Sequence, residues 1–281
     1  MSDRSKIEWT DVQLRPDKLD QPLRWRRPRR VFVNSMSDLF HADIPDEYIA
    51  RVFAVMALTP QHTYQVLTKR HGRMRSLLSS PAFEDQVRAV AGVEFGLDYH
   101  GAWPLPNVWL GVSVEDQSRA NLRVPVLLTT PAAVRFLSCE PILGPVNLTY
   151  MDVERHTEGM YVINALTGAN KDMGRPCADV NKVDWVIAGG ESGKDARPMH
   201  PDWARSLRDQ CQEAGVPFLF KQWGEWAPEA STPIRDRPVR VVSRDGREPA
   251  LVGTAMRMVG KRTTGRELDG RTWDEYPEVR S

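Results

Sequence analysis

The chain has 281 residues, 41% of them hydrophobic and 27% charged, with a net charge of +1. Those values are ordinary for a globular protein of one large α/β domain with additions, or of two small domains, and they exclude a chain drawn to nucleic acid or membrane by its overall charge. Cys139, Cys177 and Cys211 are odd in number, widely spaced and without a Cys-x-x-Cys pair, which excludes a disulfide framework and points to the reducing cytoplasm.

The N-terminus lacks the apolar core of a signal peptide, and the longest apolar helical stretch, at residues 52–58, is too short to span a bilayer. A soluble cytoplasmic protein with no membrane partner is expected. Residues 1–30 form an arm with no strand-length apolar run. Near its end Arg24, Arg26, Arg27, Arg29 and Arg30 surround Trp25 and Pro28. Arginines around an aromatic ring can grip phosphates and stack a base; equally, they can be a solvated approach to the first strand.

From residue 31 onward one cycle repeats. Val31, Phe32 and Val33 read as a short strand that turns polar at Asn34, Ser37 and Asp38. Pro45, Asp46 and Glu47 then start a helix with an apolar stripe at Tyr48, Ile49, Val52, Phe53 and Met56, closed by Thr59 and Pro60. Further apolar runs at 64–67, 108–112, 134–137, 185–188 and 218–220 end in Lys69, in Ser113 and Glu115, in Glu140, in Glu191 and in Lys221. Helices are predicted from about Gly72 and from His200, the latter with Trp203, Leu207 and Cys211 on one face and Gly215 as its stop. Six such strands alternating with helices predict right-handed βα units and a parallel sheet that curls into a partial barrel over residues 31–226.

Polar residues follow every strand, at the end where barrel chemistry gathers. Helix capping accounts for one or two of them but not for charged residues after all six strands. Gly189 and Gly190 before Glu191 and Ser192 leave room for backbone to approach a ligand. The candidate ligand-holding residues are therefore Gly189, Gly190, Glu191, Ser192, Asn34, Ser113, Glu140, Lys69 and Lys221, and Trp223 is a candidate for stacking on a planar ligand. Residues 147–182 read as an insertion forming a surface excursion or small lid. Residues 227–281 read as an appendage with a hairpin at 239–242 and 255–259, turning at Asp245 and Gly246.

Several words of the chain carry a resemblance: Lys6-Ile7-Glu8-Trp9-Thr10-Asp11, Phe32-Val33-Asn34-Ser35-Met36-Ser37-Asp38, Gln65-Val66-Leu67-Thr68-Lys69-Arg70, Leu137-Ser138-Cys139-Glu140-Pro141, Ala188-Gly189-Gly190-Glu191-Ser192-Gly193 and Phe220-Lys221-Gln222-Trp223-Gly224. In order, and with Leu268-Asp269-Gly270-Arg271-Thr272-Trp273 near the end, they resemble the phage and prophage family of gene product 37 and gene product 68, the three-Cys-motif proteins. The resemblance implies a barrel similar to radical S-adenosylmethionine (SAM) enzymes, a 4Fe–4S cluster on three loop cysteines, and an ancestry in modifying a nucleotide, nucleic acid or protein. Gly189, Gly190 and Glu191 are similar to the element that holds the methionine amino group of SAM in such enzymes.

The chain departs from that pattern where the cysteine loop should follow Asp11, because Val12-Gln13-Leu14-Arg15-Pro16 stand there and no loop cysteine is present. Iron–sulfur clusters need thiolates, so a cluster-less form is expected, with 31–36 left as a sheet edge that nothing covers. Two other functions are consistent with the residues. One is a non-catalytic protein binding nucleic acid, a nucleotide or a co-encoded partner. The other is a divalent-metal hydrolase or nuclease using Asp38, Glu115, Asp116, Glu140 and Glu191 with His41 nearby.

Overall fold

The computed structural model describes residues 12–33, 37–154, 160–172, 175–176, 180–229, 237–247 and 252–278. Asn34, Cys177 and the word at residues 6–11 lie outside the described residues.

The arm contributes a one-turn helix α1 (Pro16–Leu19) and a tighter turn at Gln21–Arg24. The repeating part follows as β1 (Arg30–Val33), α2 (Asp46–Ala57), β2 (Thr63–Thr68), α3 (His71–Leu78), α4 (Pro81–Phe95), β3 (Val108–Ser113), α5 (Gln117–Leu128) and β4 (Val134–Cys139). Four short strands come next, β5 (Met151–Glu154), β6 (Met160–Ile163), β7 (Asn170–Asp172) and β8 (Arg175–Pro176). The cycle then resumes with β9 (Trp185–Gly189), α6 (Pro201–Ala214) and β10 (Phe218–Gln222).

β1, β2, β3, β4, β9 and β10 lie side by side in that order, every pairing parallel, as an open half-barrel. The alternation of a strand sorts its side chains onto two faces. Tyr64, Val66, Val108, Leu110, Val112, Leu137, Val186, Phe218 and Phe220 pack outward with the helices in the main core. Trp109, Phe136, Trp185, Ile187 and Leu219 form a second cluster on the concave face, with Leu67 and Val134 against it. Gly111 makes that cluster possible: a Cβ there would meet the Phe136 ring at 2.4 Å.

Strand existence and order follow the sequence expectation, and α6 ends at Gly215 in the left-handed conformation, φ 65°. Residues 147–182 depart from it. Instead of a lid, β5 to β8 form a four-stranded antiparallel sheet that takes the place of the helix between β4 and β9. Leu148, Met151, Tyr161, Ile163 and Leu166 are buried in the main core, and Gln210 of α6 anchors the entry to this sheet at Val146 and Leu148.

The hairpin is also larger than expected. β11 (Trp226–Pro228) joins β12 (Val239–Val242) and β13 (Thr254–Met258) in a sheet of order β11-β13-β12, and after β12 the chain turns at Asp245 and Gly246, where the Gly246 N–H donates to the Ser243 carbonyl and Gly246 has φ 77°. After α7 (Lys261–Thr264) and the pair β14 (Glu267–Leu268) and β15 (Arg271–Thr272), the chain returns to the half-barrel. Asp274 bridges Leu219 on the outer edge of β10, the Trp185 indole donates to the Glu275 carbonyl (2.9 Å), and the Tyr276 ring lies 5.0 Å from Trp185. No helix among the described residues is long and apolar enough to cross a membrane.

Candidate functional site

The carboxyl ends of the six strands form a rim of charged side chains, linked contact by contact. Beyond β1, Asp38 accepts hydrogen bonds from the Thr68 hydroxyl (2.7 Å) and the Lys69 amide (2.9 Å), and Arg70 pairs with it at 3.4 Å. Between these groups opens a cleft of about 330 Å³, with Phe32 and Leu67 on its apolar side and Asp38, His41, Lys69, Arg70 and Ser113 on its polar side. Its Phe32 ring is 43% exposed.

The Lys69 ammonium reaches on to Glu115 beyond β3 (2.8 Å), whose other oxygen takes the Arg123 guanidinium (2.8 Å). Burial alone would raise the Glu115 pKa. The Lys69 hydrogen bond and the Arg123 charge outweigh burial and hold it below the ordinary carboxylate range. Asp116 caps α5 by accepting from the Arg119 amide (2.8 Å), which is the capping role that competes with a ligand role. The Glu115 carbonyl accepts from the Leu143 amide, and the Ile142 amide donates to Gly189, so the rim passes without a break from β3 to β9.

There Glu140 accepts from Lys221 (2.8 Å) and from the Gln222 amide group (3.1 Å), which also contacts the Ser192 hydroxyl (3.0 Å). Lys221 lies inside β10, not beyond its end. Glu191 is clamped by Arg197, which donates Nε to one oxygen and Nη2 to the other, both at 2.8 Å. Those hydrogen bonds hold the Glu191 pKa below its usual range.

Gly190 before it and Gly224 after β10 have a packing reason. A Cβ at Gly190 would sit 1.9 Å from the Trp223 carbonyl oxygen, and one at Gly224 would sit 2.0 Å from that of Glu191. The loops after β9 and β10 are pressed backbone to backbone there, and no side chain fits between them. Trp223 belongs to the same packing: it is buried, 5.1 Å from the Phe220 ring, with its indole N–H on the Glu267 carbonyl (2.8 Å), and is not a free stacking surface.

The rim thus brings Ser113, Lys69, Glu140, Lys221, Gly189, Gly190, Glu191 and Ser192 to one end of the sheet. The arginine cluster lies at the other end, where β1 begins. Arg24 is paired with Asp20, Arg29 covers Trp25 at 4.7 Å, and Arg30 covers Tyr276 at 4.2 Å, while Arg26 and Arg27 are exposed. A larger cavity of about 580 Å³ also opens at that far end, bordered by Pro106, Val134, Asp184 and Pro217. Barrels place their chemistry at strand carboxyl ends, and the converging charges are on the rim, so the smaller cleft is the candidate site.

A family model described as a protein of unknown function (DUF5131) matches residues 2–277. The chain belongs to that family. No curated protein and no solved structure matches it.

In this DUF5131 chain the residues present do not fit a 4Fe–4S cluster. Cys139 and Cys211 are buried in the helix-side core, where burial pushes both thiols up, that of Cys211 to about 12. With two of three cysteines sealed and protonated, three thiolates cannot meet. Among the described residues no group of His, Cys, Asp and Glu could hold a metal ion; the acids considered for one are paired with Thr68, Lys69, Arg70, Arg119, Arg123, Lys221 or Arg197 instead. Sequence reasoning missed Arg123, Arg197, Gln222 and the exposed face of Phe32. The cations lie 8 and 6 residues beyond their acids, Arg123 inside α5 and Arg197 in the same loop as Glu191, and no periodic pattern marks such a pair.

Proposed function

We propose that this chain is a cluster-less, ligand-binding descendant of the radical SAM-like phage family, and that it holds a nucleoside with an amino-acid or phosphate tail in the cleft at β1 to β3. The observation that carries this reading is the presence of both charge signs beside an exposed aromatic ring in one recess. Asp38 can receive an ammonium, Lys69 and Arg70 a carboxylate or phosphate, and Phe32 a purine face. S-adenosylmethionine, the ligand the resemblance implies, has all three features, and its sulfonium would supply an electrophilic carbon. The protein's own contribution is to orient the tail, since Asp38 is itself fixed by the Thr68 hydroxyl and the Lys69 amide.

The experiment is calorimetric titration of the purified protein with S-adenosylmethionine, S-adenosylhomocysteine and adenosine monophosphate. Replacing one charge-assisted hydrogen bond costs about 1.5–3 kcal/mol, so K69A and R70A should each weaken binding about tenfold or more. Failure of all three compounds to bind, or binding indifferent to both substitutions, would overturn the assignment.

A further inference from the structure

We infer that β1 is a docking edge for an acidic, extended peptide of a protein partner, which would add to the half-barrel as a seventh strand. β1 ends the six-strand order, with no strand beyond it among the described residues. The Thr63 amide donates to the Arg29 carbonyl, and Val31 is in register with Tyr64. Backbone groups alternate sides along a strand, so those of Val31 and Val33 face β2, while the N–H and C=O of Arg30 and Phe32 point away from the sheet.

Beside that edge, on the helix side, runs a groove of about 260 Å³ whose floor includes Val31, Val33 and Met56 and whose far wall includes Leu19 and Trp25 of the arm. A strand laid along β1 would direct every second side chain into this groove. Electrostatics selects its chemistry. Residues 12–30 carry seven arginines and lysines against Asp17 and Asp20, and Arg15 and Lys18 stand on the groove itself. The matching ligand alternates apolar residues with Glu or Asp. A nucleic acid would satisfy the charge, but it has neither amides for the edge nor aliphatic side chains for the floor.

The test uses the full chain and a fluorescein-labelled peptide of about nine residues alternating valine with glutamate, read by fluorescence anisotropy at about 50 and 300 mM salt. Binding is expected at low salt, weaker by at least about tenfold at high salt, and lost for a peptide with proline at its centre. Phe32→Pro removes the outward N–H together with the ring, at a position where an edge strand tolerates proline, and Phe32→Ala removes the ring alone; the proline variant should bind the peptide about tenfold more weakly than the alanine variant, with no lower Tm. R26E/R27E, remote from the rim cleft, should weaken it and flatten the salt dependence. The inference is overturned if the peptide does not bind, if it binds Phe32→Pro as it binds Phe32→Ala or R26E/R27E as it binds the native chain, or if only a single-stranded oligonucleotide of equal charge binds. It is also overturned if β1 is taken by a second copy, seen as a dimer that Phe32→Pro dissociates.

Discussion

Gly190→Ala decides whether the glycines after β9 serve packing or a ligand. The added Cβ would lie 1.9 Å from the Trp223 oxygen and 2.7 Å from its carbonyl carbon, and both are backbone atoms that no rotamer change can move. Relief requires the two loops to part by more than about 1 Å, given ordinary carbon–oxygen contact distances. That separation breaks the bonds that tie them, Gly190 N–H to the Gln222 carbonyl and Glu225 N–H to the Glu191 carbonyl, each 2.9 Å. At about 1 kcal/mol for each bond, with a further 1–3 kcal/mol or so of backbone strain, the loss is roughly 3–5 kcal/mol. For a chain of this size that is a fall in Tm of roughly 6–20 °C, measured by circular dichroism. Gly224→Ala should behave alike, because it meets the same obstacle from the other side. Gly72→Ala, which meets nothing within 4 Å and lies in α3, should be neutral or stabilising by up to about 1 kcal/mol. A Gly190→Ala protein melting within about 2 °C of the native one would refute the packing argument and return the glycine to the ligand.

Three further outcomes are expected. In the folded protein a thiol reagent should label at most one of the three cysteines quickly, and anaerobic reconstitution should give no stoichiometric iron and sulfide; a second reactive thiol would show that Cys139 or Cys211 is accessible. His200 accepts the Asp202 amide at Nδ1 and contacts Thr254 through Nε2 (3.0 Å), and burial holds its pKa below 6.5. The unfolded chain therefore binds the proton more readily, so this stability is full above pH 6.5 and is lost as pH falls below it. The native Tm should drop from pH 7 to 5, and less in His200→Asn; equal slopes would contradict the assignment. Glu115→Ala leaves the buried Arg123 guanidinium without its carboxylate and should cost about 3–5 kcal/mol in urea unfolding. Glu140→Gln, facing a Lys221 that is 56% exposed, should cost less than about 1 kcal/mol. A reversed order would mean that burial does not set the strength of these pairs.

What could be read in advance followed from regular periods. Continuous apolar runs such as residues 185–188 marked strands buried on both faces, and the one-sided stripe from Tyr48 to Met56 marked α2 against the sheet. The small sheet of β5 to β8 escaped because its strands are two to four residues long and its core residues are few, Met151 on β5 and Tyr161 and Ile163 on β6. The rim was readable as a set of positions but not as a set of pairings. Whether Glu191 meets Arg197 or a ligand depends on how a loop folds back, and composition has no signal for that. Trp223 shows the same limit, since a tryptophan beside a glycine is equally consistent with stacking on a ligand and with the burial it has.

The contact of Tyr276 with Trp185, and of Arg30 with Tyr276, joins the beginning of the sheet to a segment synthesised after every strand it touches. While the polypeptide elongates, all six strands exist before Trp273 to Tyr276 do, so the outer margin of β10 and the indole of Trp185 stay bare in the nascent chain. Such surfaces invite association. A stop codon placed just before Trp273 should therefore yield aggregates held together through β10, even though it deletes none of the half-barrel.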